Sequence, residues 1–208
     1  MMENQSKEIS DLPTECFISV DVEASGPIPG MFSLLSIGAC VAFEAASKTF
    51  YCTVKPLEGA ESDPDALKVS GLSLENLAQT GKSPEEAMRF FEKWVAAVSG
   101  KSKPIFVGLN AAFDWSFVNY YFHRFLGRNP FGFSALDIKS LYLGLTGDAW
   151  AGTKSSRMAK TLGIPHGKMT HHALDDAQAQ AELFVVIREQ SKLNSVDIRA
   201  SLTRNIFG

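Results

Sequence analysis

Three apolar runs crowded into residues 17–56 restrict this chain more than any other feature. "FISVDVEA", "SLLSIGACVAF" and "KTFYCTVKP" read as strands, and the small polar "EAAS" between the last two suggests a three-strand antiparallel meander. From residue 57 to 83 the pattern breaks up under Gly, Pro, Asp and Ser. "SPEEAMRFFEKWVAAVSG" (83–100) then reads as a helix, with Ser83 as N-cap, Pro84 at the first position, acids in the first turn and Gly100 as the stop. The second half alternates differently. "KPIFVGLN" is a short buried strand, "AAFDWSFVNYYFHRFLG" an aromatic-rich helix and "FSALDI" a strand, followed by helical stretches over 154–163 and about 171–192. A meander followed by strands separated by helices predicts a mixed sheet covered by helices.

The first strand carries an oddity at its end. In a strand, residues two apart project from the same face, so Asp21 and Glu23 share one small patch while Val22 points away. Two carboxylates side by side repel, and taking them out of water without a partner costs several kcal/mol, on the order of the penalty for any unpaired buried charge. Alone, Asp-x-Glu fits equally a polar strand end fraying into solvent beside the loop "SGPIPG".

Two further acids repeat the oddity. Helical spacing places Asp114 on one stripe with Phe117, Val118, Tyr121 and Phe125, an inward face where a charge is out of place, although an acid in a first turn also suits the helix dipole. In "THHALDDAQAQAELFVVI" the helical phase sets Asp176 on the flank of the apolar arc with Ala173, Ala177, Leu183 and Ile187. Asp175 falls opposite, among Gln178, Glu182 and Glu189, and is expected to face water. Four inward-leaning carboxylates from three segments ask for one explanation. Oxygen ligands suit magnesium or manganese, and such a site points to two-metal phosphodiester hydrolysis.

Composition bounds the rest. At 208 residues, 45% hydrophobic and 21% charged, the chain fits one globular domain, taken as residues 15–193 between a polar leader (1–14) and a tail (194–208). A net charge of -3 leaves no global basic footprint, so any nucleic-acid contact must come from a local patch or from metal ions. Cys16, Cys40 and Cys52 have no metal-ligand spacing and lie in strand-like runs, which fits a reduced, cytoplasmic setting. No apolar run approaches the ~18 residues of a membrane span, and the first residues lack a signal peptide's apolar core.

"DVEASG", "LNAAFDWSF" and "HHALDDAQA", in that order, resemble the three motifs of the DEDDh exonucleases. This is the DnaQ-like 3′→5′ family of the ribonuclease H-like fold, which includes proofreading subunits, ribonuclease T and oligoribonucleases. The resemblance covers residues 16 to about 190 and implies an α/β architecture: a mixed five-stranded sheet, antiparallel meander then parallel strands, flanked by helices. It implies that Asp21, Glu23, Asp114 and Asp176 hold two Mg2+ or Mn2+ ions. The histidine five residues before the last aspartate, His171, is then the general base, and His172 a surface or supporting residue.

The implied reaction is metal-dependent 3′→5′ hydrolysis at the 3′ end of single-stranded DNA or RNA, releasing nucleoside 5′-monophosphates. Phe113, Phe117 and Asn110 are the candidate substrate contacts, and Asp137 is read as capping a helix rather than binding metal. A homodimer is compatible with the family. The alternatives are an oligoribonuclease-like hydrolase of short oligonucleotides and a non-catalytic domain binding nucleic acid or a polymerase. The non-catalytic reading predicts a missing ligand or base, and none is missing.

Overall fold

Strict alternation makes Glu15–Ala24 (β1) the central strand: Ile18, Val20, Val22 and Ala24 are buried on one face, while Phe17, Ser19, Asp21 and Glu23 take the other. The computed structural model describes residues 14–165 and 170–207, those from 193 on as backbone only. All of the leader except Thr14 lies outside them.

Leu34–Val41 (β2) pairs antiparallel with β1, and Thr49–Thr53 (β3) antiparallel with β2, completing the expected meander. Lys103–Gly108 (β4) and Ala135–Asp137 (β5) add on in parallel, giving the order β3-β2-β1-β4-β5. The C-terminal ends of β1, β4 and β5 therefore meet at one edge of the sheet, where ligand sites of α/β sheets gather.

Two helical layers cover the sheet. On the Val20 face lie Pro84–Ser99 (α3) and Ala111–Leu126 (α4), burying Met88, Phe91, Phe117, Tyr121 and Phe122. Each fully buried Phe contributes about 1.5–3 kcal/mol. The α3 start is as expected: Ser83 Oγ accepts from Glu86 N–H, and the Glu86 carboxylate accepts from Ser83 N–H, a reciprocal cap. On the other face lie Ile138–Thr146 (α5), Ser155–Leu162 (α6) and Ala173–Phe207 (α7), around Tyr142, Met158, Phe184 and Ile187.

Three short helices escape the sequence reading, α5 and two earlier ones. Pro64–Ser70 (α1) and Leu74–Thr80 (α2) fill the stretch that reads as broken, each started by a side-chain cap, Asp63 and Ser73. Seven residues are too few for a helical period to stand out. The "FSALDI" strand is only three residues long, because Asp137 stops it by capping α5. Among the described residues, no helix is long and apolar enough to cross a membrane.

Candidate active site

Asp21 and Glu23 end β1 on the face covered by α7, and two features of the sequence bring that helix close. Gly38 pairs with Asp21 across the β1–β2 ladder, and a Cβ there would stand 2.1 Å from the Ala173 carbonyl carbon. Only glycine lets the first residue of α7 rest on the sheet. Ser19 Oγ then donates to the Ala177 carbonyl at 2.8 Å, fixing the helix one turn on. Asp176, 3% exposed, is thereby held over the strand end, and its carboxylate accepts the backbone N–H groups of Thr170 and His171, both at 3.0 Å.

Asp114 arrives from α4, 4% exposed, and accepts from Val22 N–H at 3.0 Å, which ties it to the strand between the first two acids. Glu23, His171 and Asp176 each bring one potential ligand atom within 4.8 Å of the other two. His171 has a positive φ of 54°, a left-handed conformation that glycine adopts freely and that asparagine, aspartate and histidine adopt more often than other residues, with its N–H directed at Asp176.

Burial dominates the electrostatics, and mutual repulsion of the acids adds to it. Burial, then the charges of Asp114, Glu23 and Asp176, push Asp21 well above the usual carboxylate range. Burial and the charge of Asp176 raise Glu23 to about 7. Burial, opposed by the Val22 hydrogen bond and reinforced by Glu23 and Asp137, raises Asp114 to about 8. Among the described residues, no salt bridge reaches any of the four acids. A set of hard oxygen donors lacking positive partners fits divalent cations.

The sign of the pH dependence follows. Acids whose folded pKa is raised contribute stability that is complete below their unfolded values, near 4, and is lost as pH rises through the folded values. The melting temperature of the protein in EDTA is therefore expected to fall as pH rises toward about 8, through the Glu23 and Asp114 values. Magnesium or manganese should reverse the fall, with the larger gain at the alkaline end. A metal-free melting temperature that holds or climbs over that range, measured by scanning fluorimetry, contradicts the repulsion.

The structure corrects one substrate contact. Phe117 is fully buried, packed in the core with its ring centroid 5.2 Å from that of Phe113, so it offers no face to a base. Its helical spacing belongs to the core. Phe113 is half-buried and lines a cavity of about 350 Å³ with Val22, Glu23, Pro27, Ala66 and Val69. Asn110 is exposed, in a left-handed conformation at the start of α4. Asp175 is exposed, as the helical phase requires. Asp137 caps twice, accepting from Ser140 N–H at 2.7 Å and from Ala111 N–H at 2.8 Å.

Two supporting groups complete the site, and of these the sequence reading names only His172. Gln180, buried on α7, donates to Asp21 through its amide nitrogen and accepts from Leu109 N–H at 2.7 Å, linking the ends of β1 and β4. Its position four residues after Asp176 is the signal that could have revealed it. His172 stacks on Tyr51 of β3, with ring centroids 4.5 Å apart, and its Nδ1 lies 3.5 Å from Asp175. That pair needs the meander's tertiary placement and leaves no local pattern.

Comparison with known proteins identifies the family. Residues 18–184 match the RNase_T family model, described as Exonuclease. The chain is 52% identical over 184 residues to the 3′-5′ DNA exonuclease Cap18 of Escherichia coli, covering 88% of this chain and 97% of the relative. It is 32% identical over 181 residues to ribonuclease T of Shewanella denitrificans, covering 80% and 77% of the two chains.

Two solved structures share the fold at low identity. One is a 3′-exonuclease described in 3′-end specific recognition of a histone mRNA stem-loop, with TM-score 0.68, 15% identity and coverage of 88% and 84%. The other is Escherichia coli Exonuclease I in complex with a dA16 oligonucleotide, with TM-score 0.66, 16% identity and coverage of 85% of this chain but 41% of that one. A family match across most of the chain, on the fold and the motifs that family requires, makes this protein a member of the DEDDh-type 3′→5′ exonucleases of the ribonuclease H-like superfamily.

Proposed function

We propose that this enzyme removes nucleoside 5′-monophosphates from the 3′ end of single-stranded DNA, with Asp21, Glu23, Asp114 and Asp176 holding two magnesium or manganese ions. The observation that carries the reading is the meeting of Glu23, His171 and Asp176 within 4.8 Å, beside Asp21 and Asp114, with no salt bridge to the four acids among the described residues. When bound, the two cations neutralise the acids, ease deprotonation of the attacking water and stabilise charge on the leaving 3′ oxygen.

The chain's own groups do the rest. Gln180 holds the Asp21 carboxylate, and the Val22 and His171 backbone N–H groups orient Asp114 and Asp176, so the acids keep one geometry. His171, exposed at the mouth of the site, is the base that accepts the proton of the attacking water. Phe113 and the apolar wall of Pro27, Ala66 and Val69 take the terminal base by stacking, worth on the order of 1–3 kcal/mol per base without sequence readout. Asn110, exposed beside them, is proposed to contact the same nucleotide.

DNA is favoured because the relative at 52% identity is a DNA exonuclease. The ribonuclease T relative keeps RNA as a second reading. Matched 5′-labelled DNA and RNA oligomers separate the two. The DNA oligomer should shorten stepwise from its 3′ end, the RNA oligomer more slowly, and a 3′-phosphate should block both. EDTA should abolish activity, and magnesium or manganese should restore it better than calcium, which is larger and looser in geometry. Undiminished hydrolysis in EDTA, or cuts within a circular single strand, would contradict the proposal.

A further inference from the structure

The chain is acidic overall, with 20 basic and 23 acidic residues, yet residues 138–165 reverse the balance. They carry Lys139, Lys154, Arg157 and Lys160 against a single acid, Asp148. This segment forms α5, a 3-10 turn over Trp150–Thr153, and α6. Its start lies at the active edge of the sheet: Asp137, which caps α5, also accepts from Ala111 N–H at the head of α4, and its charge acts on Asp114. Lys139 sits in that first turn of α5.

On this segment stands an aromatic ring without a structural task. Trp150 is 57% exposed, and the Lys139 ammonium lies 4.2 Å from its ring centroid. The turn that displays it is built firmly. Thr153 Oγ1 donates to the Trp150 carbonyl at 2.7 Å, Arg157 donates to the Ala151 carbonyl at 3.1 Å, and Asp148 accepts from Ala149 N–H at 2.7 Å. Thus the sole acid of the segment is spent inside the turn. Lys154 heads α6 with an exposed side chain and makes no side-chain cap.

A rigidly presented indole with an ammonium against it and an exposed lysine four residues on suits a single strand of nucleic acid: bases stack on the ring, and phosphates meet the cations. The patch is separate from the Phe113 cavity. That cavity opens on Val22 and Ala24, the face of β1 turned to α3 and α4, whereas α5 and α6 cover the opposite face. We propose that Trp150, Lys139 and Lys154 form a second contact for single-stranded DNA, engaging nucleotides upstream of the one being removed.

The proposal rests on the exonuclease reading above and is tested by chain length. Trp150→Ala is expected to raise KM for a long 5′-labelled DNA oligomer about 5- to 100-fold, as loss of one stacked base does, with kcat unchanged. Hydrolysis of a trinucleotide, too short to span both contacts, should not change, and Trp150→Phe should restore most of the long-oligomer KM. For Lys154→Ala, the slope of log affinity against log salt should lessen by about 0.7, one phosphate contact on a single strand.

Equal losses on both substrates, or none on either, overturn the proposal. Fluorescence anisotropy of the long oligomer in EDTA reads the Trp150 contact without hydrolysis. A wild-type protein that binds through Trp150 but cuts nothing would therefore defeat the exonuclease reading and leave this contact standing.

Discussion

Asp114→Asn is expected to lower the rate of hydrolysis at least ~10³-fold, the scale for removing a main electrostatic element of a transition state, while leaving the fold intact and the metal-free protein more stable. The two halves of this result have one cause. The Asn side-chain oxygen can still accept from Val22 N–H, where the carboxylate accepts at 3.0 Å, so the tie between α4 and β1 survives. What disappears is a buried negative charge that burial and its neighbours already resist, as the rise of its pKa to about 8 records. At alkaline pH in EDTA the variant should melt above the wild type, and with magnesium it should gain less than the wild type does. Asp21→Asn should behave alike in rate and keep its place, since the Asn side-chain oxygen can still accept from the Gln180 amide nitrogen while Gln180 keeps its bond from Leu109 N–H. A metal-free variant that unfolds would show that these acids serve the fold rather than the chemistry.

This opposition between stability and function explains which parts of the molecule could be read in sequence. Asp114 and Asp176 break a helical stripe, and Asp21 and Glu23 break the end of a strand, so each violates a local pattern and is visible for that reason. The meander and the capped helix Pro84–Ser99 were legible because alternation and the Ser83–Glu86 cap are local. Gly38 shows the limit. Within "SLLSIGACVAF" it looks like a weak point in a strand, and its purpose emerges only where Ala173 of a helix far along the chain rests against it. Helices α1 and α2 failed for a simpler reason, their seven residues being too short for periodicity, and α5 follows its strand without a break, its cap Asp137 being the strand's last residue. Phe117 and Trp150 fail in opposite directions. Spacing already set the first on the inward stripe, where it is sealed in the core, whereas nothing local tells that the second, in "GDAWAGT", is held out in solvent.

His171 and His172 are adjacent in sequence, and their expected losses differ sharply. Both stand just ahead of α7, but the chain turns between them: at φ 54° His171 is directed to Glu23 and Asp176, while His172 stacks on Tyr51 beside Asp175. His171→Ala should cut the rate by the ~10²–10⁴ of a lost general base and leave metal and DNA binding near wild type. Alanine is ill suited to the left-handed backbone there, so a loss could be conformational. His171→Asn answers that, because asparagine adopts the conformation readily and supplies no base. Both variants should fall together if the imidazole does chemistry, whereas recovery in the asparagine variant would assign the loss to the backbone. His172→Ala removes a side chain that is 44% exposed and stacks on Tyr51, and should cost much less. Were metal affinity to collapse in both His171 variants, the imidazole would be a ligand rather than the base. Were His172→Ala the more damaging change, the register of the last motif would shift by one, and Asp175 would have to replace Asp176 among the metal-binding acids.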